Sequence, residues 1–381
     1  VDRQSIAEAP EVSQADLERV ETFTAPGVKV LIVDDNVVNR KVARGLLKSY
    51  AFDLTEAESG PKAIDLAREN RYDIIFMDHM MPVMDGIEAA EIIRRDCGEN
   101  GAAPAIIALT ANAMEGMREQ FLRHGFQDFI AKPLDRRELG QLLARWVPEE
   151  RQQAAGDGPV AHAALDPASF PIEGIDIEAA SRYNAGDEAG FANLLELYHI
   201  DGQRKSKLLY ELARSDIERY CVEVHALKSA SANIGAMDVS DMARAQENAA
   251  SRGDTEFIER QLPTLLEAYE ALLMNIGLFL DRRHQNDPRE EKRPSLSAHE
   301  LTEQVRAALG ELEHFRSQEC AGRVEDILHH ALPRDVVDRL REIQGQLKLY
   351  EDDNAEALLG RLLSQLEREE GANDETEEGD Q

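Results

Sequence analysis

Cysteine is scarce in this chain of 381 residues. Cys97, Cys221 and Cys320 lie far apart and form no CxxC pair. That spacing excludes a disulfide framework and a cysteine zinc site, and it fits a reducing compartment. Positive charge is also short: 43 Lys and Arg face 74 Asp and Glu, for a formal net charge of −31. Such a surface repels phosphate backbones and anionic lipid, so no nucleic-acid partner is expected. Long apolar runs are missing too. The longest, "ALLMNIGLFL" (271–280), is shorter than the roughly 20 residues of a membrane helix, so no membrane insertion is expected. There is no signal-peptide pattern, no glycine box for ATP, no kinase-type histidine box and no DNA-reading helix-turn-helix. "GPK" at 60–62 lacks the spacing of a phosphate loop.

What is present divides into modules. The length suggests two or three domains, and 43% hydrophobic residues suffice for their cores. Val1 at the start leads us to expect a fragment or a processed chain. Residues 1–27 are polar, end in "TAPG" and read as a linker. Residues 28–147 alternate apolar runs at 28–33, 52–57, 72–78, 104–110 and 127–133 with helical patterns at 38–49, 60–70, 86–97, 113–123 and 135–146. Five strands alternating with five helices predict a doubly wound α/β domain with a parallel sheet. Residues 148–171, rich in Ala, Gly and Pro, read as a linker. Residues 172–280 show only helical periodicity, as in Tyr220, Val224, Leu227, Ser231 and Ile234, which predicts an all-α antiparallel bundle. A charged linker (281–297) and a further all-helical module (298–367) follow. The acidic tail 368–381 is expected to be disordered.

Acidic residues stand where the strands end. "LIVDDN" (31–36) puts Asp34 and Asp35 after the first strand, and "IIFMDHMMPVMDG" (74–86) puts Asp78 at the end of the third. Ligands of open α/β sheets bind beyond these strand ends. Three converging carboxylates repel one another, and Mg²⁺ resolves this because it takes few carboxylates and keeps water and phosphate oxygens. "IALTANA" ends the fourth strand with Thr110, a hydroxyl donor, and "FIAKP" ends the fifth with the cation Lys132. A metal, a lysine and a hydroxyl around one carboxylate make a phosphoryl-transfer site. Each residue alone has a plainer reading, as a helix cap or a solvated loop lysine.

Together these residues resemble the receiver domain of response regulators, over about 28–147. The resemblance implies a flavodoxin-like fold in which Asp78 accepts a phosphoryl group. Asp34, Asp35, Asp78 and the backbone carbonyl of Met80 would hold Mg²⁺, while Thr110 and Lys132 would contact the phosphoryl oxygens. Phe129 matches the switch aromatic, Ala111 leaves room for the phosphoryl group, and Met80 and Asn112 sit where side chains tune its lifetime.

The second chemical signal is "VHALKSASANIGA" (224–236). His225 lies between the apolar Val224 and Leu227 and is expected to project outward. Small residues, Ser229 and Ala232, follow on its face, and Lys228 lies three residues on. A neutral imidazole is a competent nucleophile near pH 7, and Lys228 could neutralise a phosphoryl group on it. The plain alternative is a solvated histidine on an Ala-rich helix. The stretch resembles the histidine phosphotransfer domain, over about 172–280, with Ser229 where that family usually has glycine. The resemblance implies that His225 relays a phosphoryl group and that its bare face docks a receiver. His329 and His330 lack a following lysine and read as ordinary helix residues.

The combined expectation is a two-component phosphorelay protein, the C-terminal part of a hybrid sensor histidine kinase. Its partners would be an upstream histidine kinase and other receiver or phosphotransfer domains, with a homodimer through the helical regions as a further option. It would lie in the cytoplasm, with a parent that could be membrane-anchored. Rival readings are a free-standing phosphate shuttle, a phosphorylation-independent scaffold and an aspartyl phosphatase. Met80, where such phosphatases carry a second acid, disfavours the last. Whether the chain is itself an enzyme stays open.

Overall fold

A computed structural model describes residues 23–98, 103–110, 121–154, 165–184, 187–285, 295–314, 316–328, 330, 332–348 and 352–378. The chain divides into two compact units, one of Val1–Tyr198 with Gly202–Phe279 and one of His199–Asp201 with Leu280–Gln381.

The first unit opens with a five-stranded parallel sheet of β2 (Lys29–Val33), β3 (Asp53–Ala57), β4 (Ile74–Asp78), β5 (Ala105–Thr110) and β6 (Asp128–Ala131), in the order β3-β2-β4-β5-β6. β4 is buried at every position. Such continuous apolar runs belong to strands covered on both faces. The cover comes from α1 (Val37–Lys48), α2 (Gly60–Glu69), α3 (Gly86–Gly98) and α4 (Arg136–Trp146). Asn36, Ser59 and Asp135 cap α1, α2 and α4 with side-chain oxygens, which satisfies backbone N–H groups that a helix start leaves open. Most of the expected helix 113–123, with Ala111 and Asn112, lies outside the described residues. The strand order reverses between β2 and β4, so their carboxyl ends open one crevice, the usual ligand position of this architecture.

Two expected linkers are in part structured. β1 (Phe23–Thr24) pairs antiparallel with β7 (Gln153–Ala154). Phe23 is buried and its ring lies 5.2 Å from that of Tyr50. Arg151 donates to Asp73 Oδ1 at 2.6 Å and to the Gly27 carbonyl at 2.7 Å. A two-residue strand carries no hydrophobic period, so the ribbon left no pattern to read.

The same unit continues with α5 (Ile177–Tyr183), α6 (Glu188–Ser215), α7 (Ile217–Asn233), α8 (Met237–Ala250) and α9 (Thr255–Gln285). Asp216 ends α6 and caps α7 through its carboxylate. Tyr198, Tyr220 and Tyr269 are buried among these helices, and the rings of Tyr198 and Tyr269 meet edge to face at 5.8 Å. Gly235 holds φ +81°, and a Cβ there would lie 2.1 Å from the Asp176 carbonyl, so glycine lets the turn after α7 touch the start of α5. α7 packs against α8 and also against α1 of the sheet domain.

The second unit contains α10 (Ala298–Glu313), α11 (Ser317–Leu328), α12 (Arg334–Lys348) and α13 (Asp352–Glu378). Their apolar faces share a core that includes Val305, Val324, Leu340, Ile343 and Leu359. Ser297 and Glu300 form a capping box at the start of α10. α13 runs to Glu378, so helix reaches into the stretch expected as a tail, whose last residues, 379–381, lie outside the described residues. Glu and Ala are good helix formers and extend the helix past its last buried leucine, Leu366. His330 bonds the Asp326 carbonyl through Nδ1, and His329 lies outside the described residues.

Candidate phosphoryl-transfer site

Asp34 follows β2 and Asp78 ends β4, both almost wholly buried. One carboxylate oxygen each from Asp34, Asp35 and Asp78 fall within 4.8 Å of one another. The backbone around them is held firmly. Arg40, buried on α1, donates through Nη1 to the carbonyls of Asp34 at 2.6 Å and Asp35 at 3.0 Å. Asn36 N–H and Asn39 Nδ2 donate to Asp34 Oδ1 at 2.9 and 3.1 Å. Met80 N–H donates to Asp78 Oδ1 at 3.2 Å. Arg40 and Asn39 had drawn no notice in the sequence, where both pass for solvated helix residues.

Lys132, just beyond β6, reaches across the sheet. Its Nζ lies 2.6 Å from Asp34 Oδ2 and 2.6 Å from Asp78 Oδ2. Thr110 is fully buried at the end of β5, and its carbonyl accepts the Lys132 N–H at 2.6 Å. Phe129 is half-buried on β6, with its ring 6.4 Å from Phe121. Thus five of the expected side chains, Asp34, Asp35, Asp78, Thr110 and Lys132, stand at the carboxyl ends of strands β2, β4, β5 and β6.

The electrostatics show a deficit of positive charge. Burial pushes Lys132 down, but Asp34 and Asp78 outweigh it and hold the ammonium charged. Burial also works against ionised Asp78, yet Lys132, His79 and His225 keep its carboxyl low. Asp34 is raised by burial and by Asp78, against Lys132. Asp35 is pushed up to about 8 by burial and by the charges of Asp34 and Asp78. One lysine is too little for three acids. A hard divalent cation fits these carboxylates, and a strongly nitrogen-seeking one does not.

The turn after Asp78 depends on glycine. A Cβ at Gly86 would lie 1.9 Å from the Asp78 carbonyl oxygen, so Gly86→Ala must displace the end of β4. The substitution is expected to cost about 1–3 kcal/mol, as overpacking usually does. A urea unfolding curve measures it, and an unchanged midpoint would contradict the close approach.

The histidine does not project into solvent. His225 on α7 is 1% exposed, which corrects the expectation drawn from its neighbours Val224 and Leu227. Its ring centroid lies 5.6 Å from that of His79, the residue after Asp78. One carboxylate oxygen of Asp78 and one ring nitrogen each of His79 and His225 lie within 4.8 Å of one another. The small residues Ser229 and Ala232 are buried as well. α7 meets α1 beside the crevice, and Asn233 Nδ2 donates to Asn39 Oδ1 at 2.9 Å, between two buried side chains. Periodicity finds a helix's apolar stripe but does not reveal that another domain covers a second face.

A carboxylate that the sequence reading missed organises this histidine. Glu247 on α8 accepts from His225 Nδ1 at 2.6 Å through Oε1, and its Oε2 accepts from Lys228 Nζ. Burial lowers His225 despite Glu247 and Asp78, so the ring is neutral near pH 7. Burial likewise lowers Lys228, with Glu247 opposing. Glu247 is held at about 2: the His225 hydrogen bond and the charge of Lys228 help to overcome the penalty of burial. With Nδ1 committed to Glu247, Nε2 carries the ring's lone pair. Nε2 is buried and has no hydrogen-bond partner. Lys228 therefore faces Glu247, where the sequence expectation aimed it at a phosphoryl group. A signal did exist: Ala243, Glu247 and Ala250 follow helical spacing, which puts an acid on an otherwise apolar stripe.

Among the described residues no helix is long and apolar enough to cross a membrane. Residues 30–144 match the family model of the response regulator receiver domain. The chain is 37% identical over 136 residues to hybrid signal transduction histidine kinase I of Dictyostelium discoideum, covering 33% of this chain and 8% of that protein. It is 29% identical over 230 residues to sensor protein GacS of Pseudomonas syringae pv. syringae, covering 60% of this chain and 25% of that protein. The chain thus spans a quarter or less of the length of these relatives. Among solved structures, the receiver domain of sensor histidine kinase PA1611 of Pseudomonas aeruginosa PAO1, with a magnesium ion in its active site cleft, is 44% identical. That match covers 32% of this chain and 97% of the other, at a TM-score of 0.29. Residues 30–144 of this chain are a response regulator receiver domain.

Proposed function

We propose that the chain passes a phosphoryl group between Asp78 and His225 within one molecule. The observation that carries this reading is the approach of a His225 ring nitrogen to within 4.8 Å of an Asp78 carboxylate oxygen, with Nε2 otherwise unpartnered. Residues 172–280 serve as the histidine phosphotransfer domain, and Asp34, Asp35, Asp78 and the Met80 carbonyl hold Mg²⁺. When bound, the metal neutralises charge developing on phosphoryl oxygens. Lys132 holds the Asp78 carboxylate in place and supplies a second positive charge, and Thr110 offers a hydroxyl to the same oxygens.

In the transfer from Asp78, the bond between phosphorus and the carboxylate oxygen breaks as the bond to His225 Nε2 forms. Asp78 leaves as a carboxylate. The imidazole becomes a cation that keeps its Nδ1 proton, and Glu247 stabilises that proton from 2.6 Å. The reverse reaction uses the same atoms. Neither step needs a separate base, because the attacking nitrogen carries no proton in this tautomer.

The match to sensor protein GacS runs longer than residues 30–144, so that likeness extends past the receiver. This supports reading the chain as the C-terminal part of a hybrid sensor histidine kinase, with an upstream kinase and further receiver or phosphotransfer domains as partners. A cytoplasmic position and a homodimer through the helical regions belong to the same reading.

The test is phosphorylation by a small acyl phosphate with Mg²⁺, on the chain itself, Asp78→Ala and His225→Gln. An acyl phosphate is lost in base, whereas a phosphohistidine survives base and is lost in acid. Wild type should carry both kinds of label, His225→Gln the base-labile label alone, and Asp78→Ala neither. Base-stable label at full level in dilute mixtures of Asp78→Ala with His225→Gln would contradict transfer within one chain.

A further inference from the structure

Asp78 belongs to two clusters. On one side are Asp34 and Asp35, and on the other are His79 and His225. The second cluster has the chemistry of a different cation. Histidines that bind metals commonly give their other ring N–H to a carboxylate or a backbone carbonyl, which fixes the tautomer and the ring. Both histidines have such a partner. His225 Nδ1 lies 2.6 Å from Glu247 Oε1, and His79 Nδ1 lies 2.9 Å from the Leu109 carbonyl. Each ring is therefore oriented. The Nε2 of His225, left to carry a lone pair, is wholly buried and unpartnered. Asp78 Oδ2 faces Lys132, while Oδ1 lies 3.7 Å from His79 Nδ1, the nitrogen that also meets the Leu109 carbonyl. The carboxylate thus has one oxygen on each side.

We infer that Asp78, His79 and His225 form a binding site for a zinc-class divalent cation, which shares only Asp78 with the Mg²⁺ carboxylates and whose occupancy blocks phosphoryl transfer. Two imidazoles and one carboxylate leave a tetrahedral zinc one open position, and imidazole selects this class over Mg²⁺. Zinc bonds of about 2.0–2.2 Å require the three ligand atoms to draw closer than the 4.8 Å that now bounds them. Blockage follows from the atoms used: the cation takes the Asp78 oxygen and the His225 nitrogen between which the phosphoryl group must pass. The site bridges the receiver and α7, so an ion there also clamps the two together. This inference rests on the docked arrangement of the proposed relay.

The test is calorimetric titration of the unphosphorylated chain with Zn²⁺ in excess Mg²⁺, repeated with Co²⁺ and read by its visible absorption. One Zn²⁺ per chain is expected, with intense tetrahedral-type Co²⁺ bands. His79→Ala and His225→Ala should each weaken binding by more than the about 10–100-fold that loss of an outer partner costs. Asp35→Asn, in the carboxylate cluster, and His124→Ala, an exposed histidine paired with Glu91, should leave it unchanged. Circular dichroism without zinc establishes that each variant is folded, and His79→Gln replaces His79→Ala should the latter fail. Binding that survives both histidine substitutions, binding lost with Asp35→Asn, or no binding would overturn the inference. Label transfer in Mg²⁺ without zinc reports on the relay alone. A chain that binds zinc through both histidines yet never labels His225 would sink the relay and keep the site. A working relay without histidine-dependent zinc binding would do the reverse.

Discussion

Lys132→Met is expected to cost about 3–5 kcal/mol of stability without divalent cations, the range found when one partner of a buried ion pair is removed. Methionine keeps most of the side chain's length, so packing changes little. The charge is what is lost. Asp34 and Asp78, both 1% exposed, would each lose a cationic partner at 2.6 Å, with Asp35 beside them. Against a typical margin of 5–15 kcal/mol, this is a large fraction. Excess Mg²⁺ should restore part of the loss, because a cation among the same carboxylates replaces the missing charge. Urea unfolding of wild type and variant, with and without Mg²⁺, measures both effects. A loss below about 1 kcal/mol without Mg²⁺ would mean that the carboxylates are satisfied some other way.

Glu247→Gln is expected to cost about 3 kcal/mol, the low end of that range, since Glu247 keeps some exposure. The amide oxygen of glutamine can still accept from His225 Nδ1, but buried Lys228 loses its counter-charge. Stability should therefore fall more than the proposed phosphoryl transfer does. The acid response carries a sign. Glu247 sits at about 2 when folded, against an ordinary value of 4.5. Its contribution is fully present above pH 4.5 and is lost as pH falls from 4.5 toward 2. Acid unfolding of the wild type should show this loss, and the glutamine variant should lack that component. Parallel acid curves for the two would count against the pairing.

The sheet and its carboxylates were legible because their signals are local. Each parallel strand is a short apolar run, and Asp34, Asp35, Asp78, Thr110 and Lys132 each end one or follow it within two residues, so reading strand ends finds them. The histidine site was legible only in part. His225 and Lys228 stand close in sequence, but Glu247 lies 22 residues from His225 and is one of 74 acids. Its meaning depends on how α8 turns toward α7. The burial of His225 was illegible for a stronger reason, since it comes from a domain some 150 residues upstream, and no period in α7 encodes that cover. Asn39 and Asn233, 194 residues apart, have no mark in the sequence beyond polarity.

The short ribbon of Phe23–Thr24 and Gln153–Ala154 has a consequence for how the receiver is mounted. The chain enters and leaves the domain through two adjacent strands, fastened by Arg151 to Asp73 and Gly27. The two ends of the receiver therefore meet at a single stem. A domain whose ends meet this way can be inserted into a loop of another protein, or cut open elsewhere and rejoined at the stem, without pulling on its sheet. A pull that parts its two ends would load the two-residue ribbon before the sheet that carries Asp34, Asp78 and Lys132.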